Sequence, residues 1–229
     1  MNRIVQPEIL DNLLPQNPDA IASRRDLNRI NRMMRNHVIM ADALEKNWPG
    51  PPPGQLTEIG AGDGKFLLAV AQKISPRWPN VRVTLLDRQK SVAPETLAGF
   101  TALGWRVEAV VADVFDWPRN FEPRGVVVAN LFLHHFQEAR LTELLYTVAP
   151  RAELFVALEP RREAAALFLT RCLWALGCNF VTRHDAAVSV RAGFDGHELS
   201  ALWPDKQNWK LAEHRTGMCS HIFSARKIS

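Results

Sequence analysis

The chain has 229 residues, of which 47% are apolar and 23% charged, and its net charge is +4. This composition predicts one globular domain that is long enough to bury a core. Three cysteines without a Cys-x-x-Cys pair argue against a disulfide framework and favour a reducing, cytoplasmic compartment. No apolar run is long enough for a membrane span, and the first residues do not resemble a signal peptide.

Residues 1–50 are predicted to form a helical lid or arm, and residues 51–229 the main domain. Apolar residues recur at helical spacing after Ser23, which is the expected N-cap of this helix. The segment WPGPPPG at residues 48–54 ends the helical pattern, because proline disfavours helix in the residue before it. We therefore place the domain boundary there.

The same helix carries five arginines within twelve residues. A solvated helix face is one interpretation. The alternatives are contact with an acidic or lipidic substrate, or docking on a nucleic acid. The five are Arg24, Arg25, Arg29, Arg32 and Arg35.

Strand and helix patterns alternate through the rest of the chain. The predicted strands cover residues 55–60, 81–86, 105–111, 125–130 and 153–158. The predicted helices cover residues 65–74, 94–103, 137–148 and 161–176. This alternation predicts an α/β fold with a doubly wound, mostly parallel sheet.

The tail departs from this alternation. Two short helices are predicted at residues 185–192 and 197–202, followed by strands at 209–214 and 219–225. A tight link containing Gly217 predicts that these strands form an antiparallel hairpin at the sheet edge. The expected sheet therefore has seven strands.

The turn after the first strand, LTEIGAGDGKF at residues 56–66, is rich in glycine. Gly60 and Gly62 match the dinucleotide fingerprint, but Lys65 occupies the position of its third glycine. Asp63 lies inside the turn, where a carboxylate would repel a phosphate. The turn therefore favours a ligand without phosphate.

Four segments resemble, in order, the motifs of class I S-adenosylmethionine-dependent methyltransferases. The resemblance covers residues 52–227 and implies a Rossmann-like fold that binds S-adenosylmethionine. Three further segments are similar to a bacterial small-molecule subgroup often encountered beside type III polyketide synthases. The four motif segments are EIGAGDGKF, VTLLDRQ, VVADVFDW and VVVANLFLHHF.

The resemblance also implies which residues hold the cofactor. The glycine turn should approach its methionine end, with Glu58 and Asp63 near the ammonium, and Asp87 should accept both ribose hydroxyls. Asp113 should accept from the adenine amino group, although it also suits an Asx turn. The expected cofactor-binding residues are Glu58, Gly60, Ala61, Gly62, Asp63, Asp87, Arg88, Asp113, Val114, Asn130 and Leu131.

Two adjacent histidines follow the fourth strand. Methyl transfer to a phenol or enol requires loss of a proton, so His134 or His135 is the expected catalytic base. A packing or capping function is the alternative. His184 and Asp185 form a second possible pair, in which Asp185 would equally suit an N-cap. No metal site is expected, because Glu159 alone does not establish one.

The acceptor is expected to be a small molecule. The (Asp/Asn)-Pro-Pro-(Tyr/Phe) motif of many base and amide N-methyltransferases is absent, and the fourth strand ends in NLFLHH. Apolar residues there, with Met33 and Met34 from the lid, favour an aromatic or lipidic acceptor and O-methylation. The alternatives are a nucleic-acid or protein methyltransferase that docks through the arginine helix, and a non-catalytic binding module. The oligomeric state stays open, with a homodimer as one option.

Overall fold

A computed structural model of the protein describes residues 1–116 and 125–228. Seven strands form one sheet in the order β3-β2-β1-β4-β5-β7-β6. The first five are parallel, and β7 runs antiparallel between β5 and β6. This confirms the predicted fold. The strands are β1 (Gln55–Ile59), β2 (Arg82–Asp87), β3 (Arg106–Val111), β4 (Val126–Asn130), β5 (Leu154–Pro160), β6 (Trp209–Thr216) and β7 (Ser220–Lys227).

Helices cover both faces of the sheet. In β4, Val126 and Val128 face the core on one side of the sheet, and Val127 and Ala129 face the core on the other. Because both faces of this strand are buried, its sequence is continuously apolar. The helices are α1 (Ile9–Asn12), α2 (Pro18–Met33), α3 (Asn36–Asn47), α4 (Lys65–Ile74), α5 (Pro94–Ala102), α6 (Glu138–Val148), α7 (Ala164–Thr170), α8 (Phe180–Ala192) and α9 (Glu198–Leu202).

The N-terminal region is less uniform than predicted. The N-cap assigned to Ser23 is wrong, because α2 begins at Pro18 and the side chain of Asn17 accepts from the N–H of Asp19. The helix also stops at Met33, and Arg35 takes a left-handed conformation before α3. Met40, Ala41 and Leu44 of α3 are buried in the same core as the sheet, while the boundary at residue 50 stays a prediction.

Two later helices differ from their predicted bounds. The predicted helix at 161–176 is α7 followed by a 3₁₀ turn over Arg171–Trp174. The helix predicted at 185–192 begins at Phe180, because the Asn179 side chain accepts from the N–H of Thr182. Asp185 therefore lies inside α8 and is not its N-cap.

Candidate functional site

A cavity of about 340 Å³ lies at the carboxyl ends of β1 to β4. A larger groove of about 1020 Å³ lies at the opposite end of the strands. Ligands of open parallel sheets bind at the carboxyl ends, so the smaller cavity is the candidate site. Of the residues predicted from the sequence, its wall contains Gly60, Gly62, Asp87, Arg88, Asp113, Val114, Leu131, His134 and His135.

The glycine turn forms the floor of this cavity. Gly60 has a φ of +69°, and a Cβ there would lie 2.2 Å from the ring of Phe132. Gly64 has a φ of +71° and would meet Leu85 at 2.7 Å. A Cβ on Gly62 would meet no atom within 4 Å in the described part of the chain, so this position leaves room for a ligand beside the backbone.

Asp87 ends β2 and is held by two backbone donors. Its Oδ2 accepts from the N–H of Gly62 at 2.8 Å, and its Oδ1 accepts from the N–H of Gln89 at 2.7 Å. Each carboxylate oxygen retains a second lone pair after these bonds. The side chain is therefore oriented by the fold and can still accept hydrogen bonds within the cavity.

Asp113 both forms an Asx turn and lines the cavity, so the two interpretations of this residue are compatible. Its Oδ1 accepts from the N–H of Phe115 at 3.0 Å, which is an Asx turn. The residue nevertheless lines the cavity, next to the buried Val114. The turn thus presents Asp113 to the site.

Four predicted residues do not line the cavity: Glu58, Ala61, Asp63 and Asn130. Burial, with repulsion from Asp63 and Asp87, raises the pKa of Glu58 well above its usual range. Oε2 of Glu58 and Oδ1 of Asn130 are buried without a hydrogen-bond partner in the described part of the chain. Asp63 accepts from the Asn28 side chain at 2.8 Å and so ties the turn to α2.

His134 lies between two buried carboxylates. Its Nδ1 is 2.8 Å from Oε2 of Glu159, and its Nε2 is 3.2 Å from Oε1 of Glu8. Burial alone would lower the pKa of His134, but the hydrogen bonds to Glu159 and Glu8 raise it to about 9. His134 is therefore an imidazolium at neutral pH and has no free lone pair.

His135 has a different environment. Its Nδ1 lies 3.0 Å from Oδ2 of Asp11, and the ring is only partly buried. Within residues 1–116 and 125–228, Nε2 of His135 has no hydrogen-bond partner. When Nδ1 donates to Asp11, Nε2 carries the lone pair. The two adjacent histidines therefore differ in the chemistry that they can perform.

The N-terminal segment lies over the cavity, within the region predicted as a lid, but its contacts were not predicted. Glu8, Leu10 and Asp11 line the cavity together with Leu27 of α2 and Ser189 of α8. Both oxygens of Asp185 accept backbone bonds at 2.9 Å, from Ile9 and Leu10. These partners are about 175 residues apart, so spacing along the chain cannot reveal them. Asp185 holds α1 over the site.

Glu159 organises the turn that carries the histidines. Its carboxylate accepts from the N–H groups of Phe132, Leu133 and His134 at 2.9–3.3 Å. The preceding residue, Leu131, has a φ of +52°, which is uncommon outside glycine. A buried carboxylate thus fixes a turn whose backbone conformation is otherwise unfavourable.

Two further expectations concern the lid and metals. The placement of Met33 in the pocket wall is wrong, because this side chain faces solvent from the last turn of α2. Ligand atoms of Glu8, His134 and His135 lie within 4.8 Å of one another in the part of the chain that the structure describes. Both ring nitrogens of His134 already face carboxylates, one of Glu159 and one of Glu8. This arrangement suits a protonated His134 that donates a hydrogen bond to each carboxylate.

Comparisons with known proteins identify the fold. The plantazolicin methyltransferase BpumL, solved with SAH, has a TM-score of 0.65 and 12% identity, covering 93% of this chain and 92% of its own. An O-methyltransferase family protein from Burkholderia thailandensis has a TM-score of 0.60 and 17% identity, covering 94% and 63%. Magnesium protoporphyrin IX methyltransferase from Synechocystis, with bound SAH, has a TM-score of 0.56 and 11% identity, covering 86% and 84%.

These similarities show a methyltransferase-like Rossmann fold. No family model and no curated protein matches the sequence. None of the helices in the described ranges is both long and apolar enough to cross a bilayer.

Proposed function

We propose that the protein is an S-adenosylmethionine-dependent methyltransferase that acts on a small acceptor, with the hydroxyl of a phenolic or polyketide-like compound favoured. The observation that carries the proposal is the anchored carboxylate of Asp87 beside the open backbone of Gly62. A bidentate acceptor at the end of β2 suits a ribose diol. Solved proteins of the same fold contain SAH, which supports this ligand.

The cavity residues suit S-adenosylmethionine, a cofactor that has no phosphate and needs no phosphate-binding element. Asp87 would hold the ribose, with Asp113 and the backbone of Val114 at the adenine. Gly60 and Gly62 would lie along the methionine end, and a side chain at Gly62 would occupy the open space that the ligand needs. Asn130, whose Oδ1 is buried without a hydrogen-bond partner among the described residues, directly precedes the cavity residue Leu131.

We assign the base to His135. When bound, S-adenosylmethionine would supply a methyl group activated by its sulfonium, and the electron pair of the broken carbon–sulfur bond would remain on sulfur. The acceptor hydroxyl would bond to the methyl carbon, and Nε2 of His135 would take up its proton. Asp11 orients the ring through Nδ1. His134 is unsuited to this step because it is already protonated.

The cavity wall favours an uncharged acceptor. Leu10, Leu27, Leu131, Phe132 and Phe136 contribute apolar surface. The carboxylates of Glu8 and Asp11 are paired with His134 and His135. A neutral aromatic compound with one reacting hydroxyl matches this combination.

The proposal is tested with labelled S-adenosylmethionine and a panel of alkylresorcinols, pyrones and quinols. Label should pass to at least one of these compounds and depend on His135. Parallel reactions contain RNA and protein as acceptors, which the arginine helix would favour. Transfer to these macromolecules alone would reject a small acceptor, and tight cofactor binding with no turnover would indicate a binding module.

A further inference from the structure

An apolar surface lies outside the cavity, on α7, its 3₁₀ extension and the start of α8. Its largest side chains are Phe168, Trp174 and Phe180, which are 62%, 70% and 63% exposed. Smaller exposed apolar side chains lie in the same stretch of the chain. They are Ala165, Leu169, Cys172 and Leu176. Side chains of this size, grouped in this way, indicate an interaction site.

The segment that forms this surface carries basic residues and no acidic ones. No Asp or Glu occurs between Glu163 and Asp185, whereas Arg171 and Arg183 are exposed. We call residues 164–184 the apolar–basic surface. Its net charge is positive. The surface thus combines exposed apolar side chains with basic residues, unlike an interface made of apolar side chains alone.

Helix α2 extends the positive region. Arg29 of α2 contacts Sγ of Cys178 at 3.3 Å, and Asp26 accepts from the N–H of Asn179 at 2.8 Å. The exposed Arg25 and Arg32 lie on the same helix, together with the exposed Ile21. The arginine helix therefore adjoins the apolar–basic surface.

We propose that the apolar–basic surface binds the surface of an anionic lipid bilayer. Exposed aromatic and aliphatic side chains enter the region between headgroups and acyl chains, and flanking arginines attract anionic headgroups. The tryptophan suits this boundary, because its ring is apolar and its N–H is polar. The charge pattern disfavours a second copy as the occupant, since a two-fold contact would bring cations against cations.

The same two helices connect this surface with the cavity. α2 contributes Arg24 and Leu27 to the cavity wall, and α8 contributes Ser189. Bilayer binding would therefore place helices of the catalytic cavity close to the compartment where apolar compounds dissolve. The proposal rests on the exposed residues alone and does not depend on the proposed reaction.

Vesicle binding tests the proposal. The full chain is sedimented with phosphatidylcholine vesicles and with vesicles containing about 30% phosphatidylglycerol, at low and high salt. We expect at least about tenfold stronger binding to the anionic vesicles and a clear loss at high salt. Brominated lipid should quench the fluorescence of the bound protein, and Trp174→Phe should remove most of that quenching.

A double variant, Phe168→Ser with Trp174→Ser, should lose at least about tenfold in vesicle affinity. The matched control is Tyr146→Ser, because Tyr146 is 59% exposed but lies on α6. Equal binding to both vesicle types, or an equal loss in the control, would overturn the proposal. So would a wild-type dimer that becomes monomeric in the double variant. Methyl transfer to a water-soluble acceptor without vesicles distinguishes failure of this proposal from failure of the proposed function.

Discussion

Nδ1 of His134 lies 2.8 Å from Oε2 of Glu159, and the same carboxylate accepts from the backbone of the turn that carries the histidine. Glu159 therefore stabilises both the charge of His134 and the conformation of its turn. Glu8 completes the arrangement from the N-terminal segment. The contacts of His134 with Glu159 and Glu8 thus connect the sheet to the N-terminal segment that lies over the cavity.

The first prediction concerns stability as a function of pH. The pKa of His134 is raised from 6.5 to about 9 in the folded protein. The contribution of His134 to the free energy of unfolding is therefore fully present below pH 6.5 and is lost as the pH rises through about 9. The shift corresponds to about 3 kcal/mol of unfolding free energy. Urea unfolding between pH 6 and 10 measures this loss.

A variant identifies the origin of this pH dependence. Glu8→Gln keeps an acceptor near Nε2 of His134 but removes a negative charge, so the pKa of His134 should fall. The loss of stability should then occur at a lower pH than in the wild type. An unchanged pH profile in this variant would contradict the assigned ion pair.

The second prediction concerns Asp87. Replacement by alanine should weaken S-adenosylhomocysteine binding by about 100-fold or more, because two hydrogen bonds to a charged acceptor are lost. Isothermal titration calorimetry measures the affinity. Asp42→Ala, at an exposed position of α3, serves as the matched control and should bind normally. Unchanged affinity in Asp87→Ala would remove the basis for the proposed cofactor site.

The third prediction separates the two histidines. His135→Gln should lower kcat by about 10²- to 10⁴-fold, the usual contribution of a general base, and leave cofactor affinity intact. His134→Gln should instead reduce the free energy of unfolding, because it leaves buried carboxylates without their partner. Kinetics and urea unfolding on both variants check this difference. His37→Gln, on α3 outside the cavity, is the control, and a loss of activity only in His134→Gln would reverse the assignment.

The fourth prediction concerns Gly60. Alanine there should lower the free energy of unfolding by about 1–3 kcal/mol, since its φ is +69° and the new Cβ would meet Phe132. Gly54→Ala is the control, because its Cβ would meet no atom of the described residues within 4 Å and its φ is not positive. Equal stability of the two variants by thermal or urea unfolding would show that the turn can relax.

The sequence was most informative where structure is local. Alternating strand and helix patterns predicted a doubly wound, mostly parallel sheet, and the observed strand pairing confirms it. The glycine spacing indicated the turn that holds Asp87. These features depend on backbone conformation and burial of neighbouring residues, which a periodic pattern records.

Only the tertiary structure decided the chemistry of the site. His134 and His135 are neighbours in the sequence, yet one lies between Glu8 and Glu159 and the other beside Asp11. Asp185 looked like a helix cap and instead holds α1 over the cavity. These contacts join residues from separate elements, and burial then fixes the charges of the groups. Protonation depends on the distances between charged groups and on their desolvation, and neither can be read from the order of the residues.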